Sequence, residues 1–159
     1  IDSGYRTKVK IVFGNEVNGL TQNGKDYADA LVSFAQKCGS GCQIYLTPLT
    51  VGNSDLTQKA NTFALEFAKE IKSINFGKIP AIGIAFNSYG ADPQTAVTDW
   101  LRILAIWQQQ AGNAGLSTDV LPQLYFLTEL GLPGGLPAGG QAVETAAVRK
   151  QTQDFLKQF

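Results

Sequence analysis

Segments in which apolar residues follow the period of a strand alternate along the chain with segments that follow the period of a helix, and this predicts the order of the secondary-structure elements. An alternating run over Val9–Phe13 predicts a first strand. Three further apolar runs, each bounded by turn residues, predict strands at Cys42–Thr47, Ala81–Asn87 and Leu121–Leu127. The run 81–87 is apolar on both faces, which is typical of a central strand, whereas Pro122 favours an edge position for the last strand.

Between these strands the apolar residues follow the period of a helix. The clearest stripe belongs to the second predicted helix and comprises Leu56, Ala60, Phe63, Ala64, Phe67, Ala68 and Ile71. Capping and helix-ending residue types give the predicted bounds: Thr21 and Gly39 for the first helix, Ser54 or Asp55 at the start of the second, Asp92 and Gly112 for the third.

Strand and helix alternate four times, which predicts an α/β fold with helices packed on a sheet of three to four strands. An α+β arrangement is the alternative. We expect a single domain over 1–159, with a β-α-β-α-β core over 8–90 and a helical extension with an edge strand over 91–159. The glycine- and proline-rich segment 131–141 predicts a loop, followed by a helix from Ala142.

The third predicted helix has an unusually broad apolar stripe, with Val97, Trp100, Leu101, Leu104 and Trp107 on one face and Ile103 and Ile106 widening it. Either this helix is buried on two sides or its surplus apolar surface meets a partner. Trp100, Ile103 and Trp107 are therefore the candidate partner interface.

Composition restricts the function classes. The 13 basic and 13 acidic residues balance, which disfavours a nucleic-acid or anionic-membrane surface. Charged residues make up only 16% of the chain, which suits a protein in an assembly. No apolar run is long enough to span a bilayer. Because the sequence begins at Ile1 rather than Met, we expect a processed form or an excised fragment.

Cys38 and Cys42 are the two cysteines, in the segment C-G-S-G-C. Either they are free thiols at a helix end or they form a disulfide, which would indicate an oxidising compartment. A metal site needs more ligands, and the chain contains no histidine.

Candidates for catalysis are few. Without histidine, the usual serine–histidine and cysteine–histidine pairs are excluded. Ser88 follows a strand but lacks the G-x-S-x-G context, and Asp92 and Asp119 suit capping or turn roles. No pair of carboxylates occurs within one motif, and no phosphate-binding motif indicates a cofactor. We therefore expect neither an enzyme nor a cofactor.

The first half of the chain resembles the peptidoglycan-associating OmpA-like C-terminal domain of bacterial envelope proteins. The match consists of Ile11-Val12-Phe13, the helix start L-T-Q-N-G-K at Leu20–Lys25, the strand Ile44–Thr47, the loop Gly52-Asn53, and the helix start L-T-Q-K-A at Leu56–Ala60. The resemblance implies a sheet that mixes parallel and antiparallel strands, in a periplasmic protein associated with the outer membrane.

The family's clamp for the diaminopimelate stem peptide is not preserved. Thr47 or Pro48 stands where the family has an aspartate, and Ala60 stands where it has an arginine, with Lys59 one residue earlier. A lysine lacks the planar fork with which arginine binds a carboxylate. Thr47, Asn53 and Lys59 remain as weak candidate ligands for peptidoglycan.

Three functional hypotheses follow. The first is a non-enzymatic, periplasmic, OmpA-like structural part of an envelope assembly such as a secretion system, with envelope proteins as its partners. The second is a working peptidoglycan-binding module. The third is a small doubly wound α/β enzyme or ligand-binding protein, whose ligand would lie at the carboxyl ends of the strands near Gly14–Asn18, Pro48–Asn53 and Asn87–Asp92. Parallel strands throughout would favour the third.

Overall fold

Four strands and three helices alternate along the chain in a computed structural model that describes residues 10–19, 23–38, 42–74, 83–88, 93–117, 121 and 124–130. The elements are β1 (Lys10–Phe13), α1 (Gly24–Cys38), β2 (Gln43–Leu46), α2 (Ser54–Ser73), β3 (Gly83–Ser88), α3 (Pro93–Asn113) and β4 (Leu124–Leu130), with a short 3-10 turn at Val17–Gly19. The predicted α/β class and its β-α-β-α-β order are confirmed. The loop 131–141 and the helix from Ala142 lie outside the described residues.

The strands form one sheet in the order β1-β2-β3-β4, and all three neighbouring pairs are parallel. Parallel strands joined by right-handed crossovers that step in one direction place their helices on one face of the sheet. Accordingly, α1 packs against α2 and α2 against α3. As predicted, β3 lies inside the sheet. The described strands do not show the mixed directions that the OmpA-like resemblance implies.

The core lies between the sheet and this single layer of helices. On the strands it takes alternate residues such as Ile44, Leu46, Ile84 and Phe86, as a period of two requires. The predicted stripe of α2 is buried from Ala60 to Ile71. Tyr45 and Ala85 alternate with these core residues and are buried too, so both faces of the central strands are covered.

Three helix bounds differ from their predictions. Asn23 caps α1, since its side chain accepts a hydrogen bond from the Asp26 backbone N–H; Thr21 lies outside the described residues. Asn53 caps α2 by accepting from the Leu56 backbone N–H, so Ser54 and Asp55 already lie within the helix. An amide oxygen one residue earlier reaches the free helical N–H groups as well as a serine or aspartate would.

The end of α3 lies beyond the predicted Gly112. Gly115 adopts a left-handed backbone with φ +72°, its N–H donates to the Gly112 carbonyl, and the Leu116 N–H donates to the Ala111 carbonyl. These two bonds form the Schellman motif that commonly ends helices. Gly112 therefore lies inside the last helical turn.

Candidate functional site

The carboxyl ends of the four strands meet at one edge of the sheet because every strand pair is parallel. We call this the carboxyl edge: the loops 14–19 and 47–53, which follow β1 and β2, and the strand ends 87–88 and 129–130. In α/β proteins with parallel strands this edge is where ligands bind. The edge includes described parts of all three regions that the third hypothesis named.

Glu16 follows β1 in an unusual backbone conformation. Its φ of +47° lies in the left-handed region, and it is the one residue other than glycine with a positive φ in the described part of the chain. Gly14 has a φ of +85°, and the Gly19 N–H donates to the Glu16 carbonyl at 2.9 Å. A left-handed residue with a side chain costs about 1–3 kcal/mol, and such strain clusters at functional sites.

Asn87, at the end of β3, holds the Glu16 side chain. Its Nδ2 donates to Glu16 Oε1 at 2.8 Å and makes a longer contact of 3.4 Å with Asn15 Oδ1. The register of β3 against β4 shifts between Phe86 and Asn87. Such bulges re-aim side chains, and they are frequent beside active sites. The contact joins groups 71 residues apart in sequence, and the Asn87 side chain is 7% exposed.

A second glutamate, Glu129, lies at the carboxyl edge on β4, which is the outer strand farthest from β1. Glu129 is the next-to-last residue of β4, and its backbone is in register with Asn87. β1 and β4 are three strand spacings apart, or about 14 Å. The Glu16 carboxylate lies nearer to β4 than this, because it is hydrogen-bonded to Asn87 on β3, the strand next to β4.

Two further contacts fix the loops of the edge. The buried Asn18 side chain donates to the Thr50 carbonyl at 3.0 Å and accepts from the Thr50 N–H at 2.9 Å, so it joins the loop after β1 to the loop after β2. Each amide hydrogen bond contributes about 1 kcal/mol. This pair of hydrogen bonds holds the two loops together.

The Tyr27 hydroxyl on α1 joins the ends of β1 and β2. It donates to the Phe13 carbonyl at 2.6 Å and accepts from the Thr47 N–H at 2.9 Å. Burial raises the pKa of Tyr27 well above its usual range, an effect that the Thr47 N–H only partly offsets. The hydroxyl therefore stays protonated at neutral pH and acts as a structural tie.

The candidate peptidoglycan ligands have other partners. Thr47 is fully buried and donates to the Pro48 carbonyl at 3.1 Å, and Asn53 caps α2. Lys59 is paired with Asp55 at 2.9 Å on the exposed face of α2. Lys59 does line an open groove of about 390 Å³ between the starts of α1 and α2. Peptidoglycan binding by Thr47, Asn53 and Lys59 stays a prediction.

The candidate partner interface on α3 is largely core. Ile103 and Trp107 are each 1% exposed, and the Trp107 ring packs edge-on against the Phe67 ring at 5.3 Å. Trp100 is only partly buried. Leu101, predicted on the apolar face, is 50% exposed because the core face follows 103, 106, 107, 110 and 111 instead. Ile103 and Trp107 therefore offer no surface to a partner.

The two cysteines are joined. Cys38, at the end of α1, is disulfide-bonded to Cys42, which precedes β2. Of the two alternatives left open by the sequence, the disulfide is confirmed.

Sequence reasoning missed Glu16, Asn87 and Glu129 as a group. A sequence motif joins only neighbouring residues, whereas Glu16 follows β1 and Asn87 and Glu129 lie at the ends of β3 and β4. The sequence carries part of the signal, a glutamate shortly after the first predicted strand and another shortly after the fourth, but the strand directions are also needed to bring them together. The loops 14–19 and 47–53 and the strand end 87–88 contain no lysine or arginine, so their polar groups are mostly amides and hydroxyls.

Comparison with known protein families, with curated protein sequences and with solved structures finds no match to this chain. Among the described residues, no three or more histidine, cysteine, aspartate and glutamate side chains come together as a metal site. Within the same part of the chain, no helix has both the length and the apolar character needed to cross a bilayer.

Proposed function

We propose that the carboxyl edge is a two-carboxylate catalytic site in which Glu16 and Glu129 cleave the glycosidic bonds of a neutral saccharide. The observation that carries the proposal is the Glu16 carboxylate, held by Asn87 at the same sheet edge to which β4 brings Glu129. The proposal keeps the ligand-binding edge of the third hypothesis, since all described strand pairs are parallel, but not its doubly wound topology, since the order of the described strands, β1-β2-β3-β4, does not reverse.

The chemistry of the edge supports a neutral, hydroxyl-rich substrate. Asn15 and Asn53 are exposed in the loops of the edge and supply amide donors and acceptors without a positive charge. Phosphorylated or other anionic substrates would require lysine, arginine or a helix-end phosphate motif, and the described loops of the edge have none. Saccharides match this set of polar groups.

Two carboxyl groups are sufficient for the reaction. One donates a proton to the bridging oxygen as the bond from that oxygen to the anomeric carbon breaks. The other either activates a water molecule or bonds to the anomeric carbon until water replaces it. Water supplies the hydroxyl of the new reducing end. In the route with a bond to the anomeric carbon, the first carboxylate takes the remaining proton of that water; in the other route the second carboxylate takes it, and exchange with solvent restores both groups.

The topology is compatible with this use. Consecutive parallel strands in sequential order, with all helices on one face, are also the arrangement of successive units in (β/α)8 barrels, whose catalytic residues lie at the carboxyl ends of several strands. Here the two glutamates occupy such ends on β1 and β4.

The test is hydrolysis of nitrophenyl glycosides of the common hexoses and pentoses, in both anomeric forms, by the wild type and three variants. We expect Glu16→Gln and Glu129→Gln each to lower kcat by about 10²–10⁴-fold, as loss of an acid–base group does. Glu66→Gln is the matched control, because Glu66 Oε2 also accepts a hydrogen bond, from the Gly24 N–H at 3.0 Å, but away from the edge. Inactive wild type, or equal losses in all three variants, would contradict the proposal.

A second candidate function keeps the first hypothesis: a non-enzymatic structural part of an envelope assembly in the bacterial periplasm. The Cys38–Cys42 disulfide supports it, because structural disulfides persist in oxidising compartments such as the periplasm. The Cys38–Cys42 disulfide is equally compatible with a secreted hydrolase. The parallel strand directions support the catalytic proposal over the structural one. The OmpA-like resemblance stays a prediction.

Crosslinking in intact envelopes tests this second candidate. Capture of envelope proteins by the wild type, with no glycosidase activity, would favour it, whereas a monomer without envelope partners would remove it. A pull-down with isolated peptidoglycan, with and without free diaminopimelate, tests the module hypothesis. Binding that persists in Lys59→Ala would exclude Lys59 as a ligand.

A further inference from the structure

We propose that Asn87 is a positioning residue that selects which oxygen of the Glu16 carboxyl group faces the substrate. The inference rests on the proposed function and assigns Asn87 a role that no sequence motif suggests. It starts from the bond between Asn87 Nδ2 and Glu16 Oε1, at 2.8 Å.

The bond distinguishes the two oxygens of Glu16. Oε1 accepts from Asn87, which leaves Oε2 as the oxygen available to accept or give a proton. An asparagine amide has two N–H donors, so Asn87 can hold Oε1 and still face Asn15 Oδ1 at 3.4 Å. One buried amide thus contacts two polar side chains of the turn that follows β1, those of Glu16 and Asn15.

The backbone on both sides supports a positioning role. The register of β4 against β3 shifts next to Asn87, and the strained left-handed residue is Glu16 itself. Strain of this kind persists only where the surrounding contacts hold it. The backbone of Asn87 is also in register with that of Glu129. Asn87 therefore lies between Glu16, which it contacts, and the end of β4.

A purely structural role for Asn87 is the competing explanation, and Gln110 provides the matched control. Gln110 is also a 7% exposed amide, and its Nε2 donates to Asn61 Oδ1 at 2.8 Å between α2 and α3. Replacing either amide by alanine removes a comparable buried hydrogen bond, but only Asn87 contacts Glu16.

The experiment compares kcat and KM on dinitrophenyl glycosides, whose good leaving group keeps slow variants measurable. We expect Asn87→Ala to lower kcat about 10- to 100-fold with KM nearly unchanged, since misplacement by about 1 Å costs a factor of that order. Gln110→Ala should leave both constants unchanged although it too lowers the unfolding temperature. In the Glu16→Ala background, Asn87→Ala should cause no further loss. Equal kcat in Asn87→Ala and Gln110→Ala, or additive losses with Glu16→Ala, would overturn the inference.

An activity-independent measurement separates this inference from the proposed function. In ¹H–¹⁵N spectra, the Asn87 side-chain amide signal should move in Glu16→Ala and stay in place in Glu66→Ala. A signal that does not move overturns the positioning contact even if the protein is an active glycosidase. An inactive wild type with a moving signal overturns the reaction, and with it the catalytic role of Asn87, but leaves the contact itself established.

Discussion

At the scale of single residues, the chain retains a conformation at Glu16 that costs stability. Glu16 has a φ of +47°, in a turn where Gly14 and Gly19 would adopt unusual backbone angles far more easily. A carboxylate at this position is therefore explained by what the side chain does, through its bond to Asn87, rather than by the needs of the turn.

This argument predicts a difference between two Glu16 variants that both lack the carboxylate. Glu16→Gly should be more stable than Glu16→Ala by about 1 kcal/mol, because glycine adopts a positive φ without strain whereas alanine does not. Urea unfolding of the two variants measures the difference. Equal stabilities would show that the left-handed turn carries no strain, and the link between strain and function at Glu16 would fail.

At the scale of elements, the helix ends show how precise a local prediction can be. The stripe of α2 agrees with its prediction because burial on one face imposes the helical period directly on the sequence. Caps are decided by single hydrogen bonds, and several residue types compete for them within a turn. The N-cap of α2 is therefore Asn53 and not Ser54 or Asp55, and the residue that ends α3 is Gly115 and not Gly112. Neither difference changes which face of its helix is buried.

The corrected end of α3 can be tested with two glycine substitutions. Gly115→Ala should destabilise the protein by about 1 kcal/mol, because Gly115 has a φ of +72° and an added Cβ would lie 2.7 Å from Lys72 Nζ. Gly112→Ala should stabilise it by about 0.5–1 kcal/mol, because Gly112 lies in the helix with open space around it. Thermal unfolding of both variants measures the two shifts. The opposite signs would place the helix end at Gly112.

At the scale of the whole molecule, the parallel strand order brings the candidate site together. Glu16 follows β1, whereas Asn87 and Glu129 lie at the ends of β3 and β4, and the parallel direction of the strands puts them on one edge. The sequence patterns predict each strand but not whether neighbouring strands are parallel, because hydrophobic alternation is the same in parallel and antiparallel pairs. The fold class was therefore predictable, and the grouping of the carboxylates was not.

The measurement that tests the central claim most directly is the distance between the Glu16 and Glu129 carboxyl carbons in a crystal structure of the protein. If the two act on one glycosidic bond, we expect a separation of about 5–10 Å, the range that glycosidases use. A separation near the three strand spacings from β1 to β4, about 14 Å or more, with the two side chains directed apart, would contradict a shared catalytic site.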